Sequence, residues 1–121
     1  MSFRRLAVLA VALSSLTAAI GCGGVDSTVA CDFRSGGLNG VEPRCQEWIN
    51  SLAATTFEQT CNTAKGKYIN GQCPRDGIVA GCEQKTGNAD GSRTIDWYYS
   101  PETETSIKAG CTSPDTFQPK P

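Results

Sequence analysis

The chain opens on a block that never alternates in polarity: residues 6–20, LAVLAVALSSLTAAI, run fifteen positions without a charge. Behind it the pattern breaks into short pieces with distinct periods. Residues 31–43, centred on SGGLNG, read as a short strand and a loop. Arg44–Ile49, RCQEWI, alternates as a half-buried strand does. Phe57, Cys61 and Ala64 then recur at the i, i+4, i+7 spacing of one helix face. Thr55, with Glu58 three residues on, has the form of a capping box at that helix's start, and Gly66 stands where a left-handed cap would end it. Residues 67–70 follow as a strand carrying Tyr68, Asn70-Gly71 as a turn and Cys73-Pro74 as a corner. Residues 77–85 read as a strand through Ile78, Val79 and Cys82, and 87–92, GNADGS, as a hairpin loop built on Asp-Gly. Arg93–Tyr99, RTIDWYY, is the most strand-like segment of all. Ser100-Pro101-Glu102 starts a second helix, with a capping serine, a first-turn proline and acids near the positive end of the dipole. That helix runs to about Gly110, and 116–118 form a last strand.

An internal echo runs through these elements. A strand with Trp48, a helix ending near Cys61 and a strand with Tyr68 are followed by a strand with Trp97, a helix ending near Cys111 and a strand with Phe117. Cys61 precedes Tyr68 by seven residues, and Cys111 precedes Phe117 by six. Identity between the two stretches is low, so duplication and convergence on one packing solution both stay open. Either predicts a small, disulfide-stabilised α+β domain with two helices packed on one antiparallel sheet.

The opening block, with Arg4 and Arg5 before it, has the build of a signal peptide. As a helix its fifteen residues rise only about 22 Å, short of the hydrocarbon core. It ends at Ala19-Ile20-Gly21-Cys22, three small or aliphatic residues before a cysteine, the form of a lipoprotein cleavage site. The sequence therefore divides into a lipoprotein signal peptide at 1–21, a lipidated N-terminus and flexible tether at 22–30, and one cysteine-rich domain at 31–121. Seven cysteines make an odd count, and lipidation of Cys22 resolves it by leaving six. Cys31, Cys45, Cys61, Cys73, Cys82 and Cys111 contain no Cys-x-x-Cys spacing, which disfavours zinc and dithiol redox chemistry and favours three structural disulfides. Their fifteen possible pairings are not resolved by spacing.

Arg4 and Arg5 belong to the leader, leaving nine Lys and Arg against twelve Asp and Glu, a balance of −3. Scattered basic residues on an acidic chain exclude a nucleic-acid partner. The absence of histidine from the sequence removes Ser-His-Asp, Cys-His and His-metal constellations, and no catalytic residue, metal or cofactor is assigned. Asp96 with Glu102 or Glu104 is the one carboxylate pairing that glycosidase chemistry could use. Asn88-Ala89-Asp90-Gly91 matches the middle of a calcium loop, but Thr86 and Trp97 stand where its acidic ends belong. Asp96-Trp97-Tyr98-Tyr99 is the segment with a sharper alternative. Trp97 and Tyr99 share one strand face while Asp96 and Tyr98 share the other. Trp97 and Tyr99 are expected in the core and Tyr98 on the sheet's outer face, away from the helices. An exposed ring among the three would be a partner-binding or glycan-stacking residue.

With its Gly21-Cys22-Gly23-Gly24 start, a helix cysteine before Gly66 and Tyr68, Cys73-Pro74, Gly81-Cys82, the Trp97-Tyr98-Tyr99 strand and a late Cys111, the chain resembles the small cysteine-rich hypothetical lipoproteins abundant in myxobacteria and related Gram-negative bacteria. The resemblance implies the cell envelope, with the membrane reached through the N-terminal lipid, and carries no mechanism. Gly23, where aspartate favours inner-membrane retention, is compatible with the outer membrane. The reading that results is a non-enzymatic envelope lipoprotein with a binding or structural role and a protein or glycan partner. The alternatives are a small secreted enzyme or enzyme inhibitor on the same scaffold, or a carbohydrate-binding module using the Trp97 strand.

Overall fold

The structure, a computed structural model, describes residues 27–50, 54–85 and 92–121. The leader, Cys22 and residues 87–91 of the expected hairpin loop lie outside the described residues. The elements are β1 (Val29–Asp32), β2 (Arg44–Ile49), α1 (Ala54–Thr63), β3 (Lys67–Ile69), β4 (Ile78–Gln84), β5 (Arg93–Tyr99), α2 (Glu104–Gly110) and β6 (Thr116–Pro119). The strands form one antiparallel sheet in the order β3-β1-β2-β5-β4-β6. With two helices and three disulfides, the domain is α+β and disulfide-stabilised.

That strand order is unchanged when β1, β2 and β3 are exchanged for β4, β5 and β6. The chain is two ββαβ units laid side by side, meeting where β2 pairs with β5 and Gln46 lies opposite Asp96. Carried outward, the register gives one row across all six strands: Tyr68, Cys31, Gln46, Asp96, Cys82, Phe117. Residues directly opposite in an antiparallel sheet share a face, so these six side chains project together. The row is symmetric in kind: ring, cysteine, polar, polar, cysteine, ring. Cys31 bonds Cys61 of α1 and Cys82 bonds Cys111 at the end of α2, with sequence separations of 30 and 29. Both helices therefore lie on the face of this row, α1 over β1 and β3, and α2 over β4.

The opposite face is covered by chain without regular structure. The Cys45–Cys73 disulfide pins the segment between β3 and β4 across the sheet. There the Tyr99 hydroxyl donates to the Pro74 carbonyl at 2.6 Å, and the Arg75 guanidinium lies over the Trp97 ring at 5.3 Å. Glu47, fully buried at 1 %, accepts the Cys73 N–H at 2.8 Å and pairs with Arg75 at 3.0 Å. Those partners make its burial tolerable, since an unpaired carboxylate there would cost several kcal/mol. Gly81 leaves room for Trp97: a Cβ at position 81 would stand 2.6 Å from the ring.

Several local expectations change. Val29 and Ala30, placed in the tether, are buried residues of β1. Thr55 lies inside α1 instead of capping it, because the helix already includes Ala54. The left-handed residue after α1 is Lys65, at φ 58°, and not Gly66. Gly66 is a glycine for space, since a side chain there would collide with the Cys31–Cys61 disulfide and Phe33. At α2 the Ser100–Pro101 peptide is cis and lies in a turn closed by the Glu102 N–H donating to Tyr99 O at 3.0 Å. The helix starts later, with Thr103 as N-cap and Ser106 completing a reciprocal capping box.

Candidate functional site

The two units differ most beneath their helices. Under α1, Val29, Cys31, Phe33, Trp48 and Cys61 form a closed apolar cluster, with Phe57, Ala64 and Tyr68 packed against it. Trp48 and Phe57 stack at 4.4 Å between ring centroids, and the Arg44 guanidinium covers Phe33 at 4.6 Å. The sheet register, with the matched cysteines Cys61 and Cys111 for the helices, maps these positions onto the second unit. Trp48 corresponds to Tyr98, Phe57 to Ile107, Phe33 to Gln84 and Gly66 to Asp115. An aromatic plug has become an amide, and a position that tolerates no side chain has become a carboxylate. Beneath α2 this leaves two adjoining hollows of about 280 and 160 Å³ that share Cys82, Tyr98 and Gly110.

Asp96, 6 % exposed, lies in the groove floor and accepts from Arg44 Nη1 at 3.0 Å, Gln46 Nε2 at 3.1 Å and Gln84 Nε2 at 2.6 Å. Arg44 also donates to Glu42 at 2.9 Å. Three donors, one of them charged, satisfy the oxygens of this buried carboxylate. Asp115 lines the larger hollow and accepts the Lys85 backbone N–H at 3.0 Å. Glu102 lines the smaller one and accepts the Ser106 hydroxyl at 2.9 Å. Neither carboxylate has an ion-pair partner among the described residues. Tyr98 forms the wall between the hollows. Burial raises its phenol above the ordinary tyrosine range, Asp96, Glu102 and Glu42 add to that, and Arg44 opposes them.

A larger hollow of about 810 Å³ opens on the other face, at the end where β1 begins. Its charged residues are already matched, Arg75 with Glu47 and Arg93 with Glu83. The groove beneath α2 differs in holding carboxylates that no cation of the described chain engages.

Of the three candidate aromatics, the structure puts Trp97 and Tyr99 in the core at 5 % exposure each, on the face opposite the helices. Tyr98 is half-buried on the helix face, where the sequence placed it on the outer face. Of the three rings, Tyr98 alone is accessible from the surface. The Trp97 Nε1–H is the one buried side-chain polar atom without a hydrogen-bond partner among the described residues. The six cysteines pair as 31–61, 45–73 and 82–111. The near-equal spacings from Cys31 to Cys61 and from Cys82 to Cys111 are the signal in the sequence for two of those bonds. Asp96 and Glu102 border adjoining hollows while Glu104 is exposed and borders neither, so the candidate carboxylate pairing survives only in part. Sequence reading missed Gln84, Lys85, Ser106 and Asp115, which become visible only once the two units are aligned on their cysteines. Among the described residues no group of three His, Cys, Asp or Glu side chains could share a metal ion, and no helix is long and apolar enough to cross a membrane.

Comparison of the chain with protein-family models, with curated proteins and with solved structures finds no match.

Proposed function

We propose that this chain is a lipid-anchored cell-envelope lipoprotein, attached through Cys22, whose domain binds a partner at the groove beneath α2 and carries no catalytic activity. The observation that carries the binding site is the difference between the two units: one scaffold, plugged by Phe33, Trp48 and Phe57 under α1 and open under α2. A binding role also agrees with the state of Asp96, whose oxygens are engaged by Arg44, Gln46 and Gln84 and are poorly placed to exchange protons with a substrate. Three disulfides suit an oxidising compartment outside the cytosol.

Intact mass of the membrane-extracted protein, alkylated before and after reduction, tests the anchor. The expected species starts at Cys22, carries acyl groups and gains six alkylations only after reduction. An unlipidated Cys22 would overturn the anchored reading. For the site, groove substitutions such as Gly110→Leu are expected to abolish partner capture in the native envelope while leaving the fold intact. Capture that survives them would move the site elsewhere.

A further inference from the structure

The sheet has a consistent way of covering its rings. Arg34 lies over Tyr99 at 4.1 Å, Arg44 over Phe33 at 4.6 Å, Arg75 over Trp97 at 5.3 Å and Lys108 over Phe117 at 5.4 Å. Trp48 is covered instead by Phe57. Tyr68 and Tyr98 have neither kind of cover among the described residues; Tyr68 packs against the cluster under α1, whereas Tyr98 lines the groove. Around Tyr98 stand Glu102 in one hollow and Asp115 in the other, with Lys85 the only cation among the described residues lining either. An aromatic face flanked by one carboxylate in each of two adjoining hollows forms an environment that selects a cation.

We infer that the groove takes the side chain of a lysine or arginine from an extended basic segment of a partner protein, with its cation over Tyr98 and within reach of Glu102 and Asp115. This rests on the groove being the partner surface and names the chemistry of that partner. The volumes fit a single side chain and not a folded element. Lys85 holds the opposing charge at the rim, so it weakens the site's attraction for a cation and sets a limit on its affinity.

The test is a titration of the oxidised, detergent-extracted protein with acetyl-Gly-Arg-Gly-amide and acetyl-Gly-Lys-Gly-amide, followed by amide NMR shifts. The Gln and Glu versions of the tripeptide and spermidine serve as controls. Saturating shifts at Tyr98, Ser106 and Gly110 with the basic peptides alone are expected. Tyr98→Ala should weaken binding about tenfold and Glu102→Gln about threefold. Lys85→Gln should tighten it about twofold. Tyr98→Leu, which keeps an apolar wall, should bind as poorly as Tyr98→Ala. Equal binding of the Glu peptide, unaltered affinity in Tyr98→Leu, or no saturating shift in the folded protein would overturn the inference. Spermidine binding as tightly as the peptides would overturn the assignment to a protein side chain. A photo-crosslinker placed at Lys85 in the native envelope separates the two levels. Capture without peptide binding removes the cation inference alone, and failure of both removes the partner reading as well.

Discussion

Under α1 the sheet meets a plug of rings and a disulfide buried at both ends, whereas under α2 it meets one half-covered tyrosine and a polar hollow. The two units share strand order, register and a helix-to-strand disulfide. What differs is side-chain volume at a handful of matched positions. Apolar volume decides where a scaffold is closed, because a filled interior gains contact and dehydration energy that a polar hollow forgoes. On the helix face the first unit is closed and the second is open, while the core on the opposite face draws on both units.

The largest effect that would break this comparison comes from Trp48. Trp48→Ala empties the plug and should cost about 3–5 kcal/mol, while Tyr98→Ala at the matched position should cost less than half as much. Urea unfolding of both variants decides it, and equal losses would mean that the groove is as structural as the plug. Gly66→Ala comes next, because its methyl group has to displace the Cys31–Cys61 disulfide or Phe33. A loss of about 2–4 kcal/mol, or a free thiol pair on alkylation, is expected.

The disulfides sharpen the contrast without any mutation. Cys31, Cys61, Cys45 and Cys73 are 0–1 % exposed, whereas Cys82 is 9 % exposed and Cys111 is half-buried beside the groove. Mild reduction followed by alkylation and peptide mapping should therefore open Cys82–Cys111 first, since a thiolate must reach sulfur to attack it. Opening Cys31–Cys61 first would contradict the closed character of the first unit.

Acid weakens both units by the same mechanism. Burial pushes the Asp32 carboxyl up, but the hydrogen bonds and charge of Arg34 outweigh it and hold it below the usual range. In the second unit the hydrogen bonds from Arg93 lower Glu83 against its burial. With folded values below the unfolded ones, the unfolded chain binds more protons, so stability rises with pH across that window. The stabilisation is present above the ordinary carboxyl values of about 4 and is lost as pH falls through the lower folded values. Asp32→Asn should flatten this acid limb in urea titrations, and an unchanged slope would refute the assignment. The smallest effect is at Gly110, where an added Cβ meets nothing within 4 Å. Gly110→Ala should leave stability unchanged or raise it by about 0.5–1 kcal/mol, opposite in sign to Gly66→Ala.

Much of this fold was legible because its strands and helices carry strong local periods. Arg44–Ile49 and Arg93–Tyr99 appear where alternation places them, and Phe57 and Cys61 face inward from α1 as their spacing implies. The Cys61–Tyr68 and Cys111–Phe117 part of the echo reflects a shared topology and register, whereas Trp48 matches Tyr98 and not Trp97, which lies on the other face of the sheet. What the sequence hid depends on contacts distant in the chain. Tyr98 points toward α2 because Asp96 pairs with Cys82, a register that no local pattern encodes. The covering of Trp97 and Tyr99 by the Cys73–Arg75 segment rests on the Cys45–Cys73 bond, which has no counterpart in the second unit, where Ile95 matches Cys45. Gln84 and Asp115 read as ordinary surface residues until they are matched to Phe33 and Gly66.

Amide hydrogen exchange of the oxidised protein, resolved by helix and repeated with acetyl-Gly-Arg-Gly-amide, tests the central claim most directly. α2 is expected to exchange at least about tenfold faster than α1, because α1 packs Phe57 and Cys61 into a closed cluster whereas α2 overlies the two hollows with Ile107, and the peptide is expected to slow α2 and leave α1 unchanged. Equal protection of the two helices in the free protein, or protection gained at α1, would contradict it.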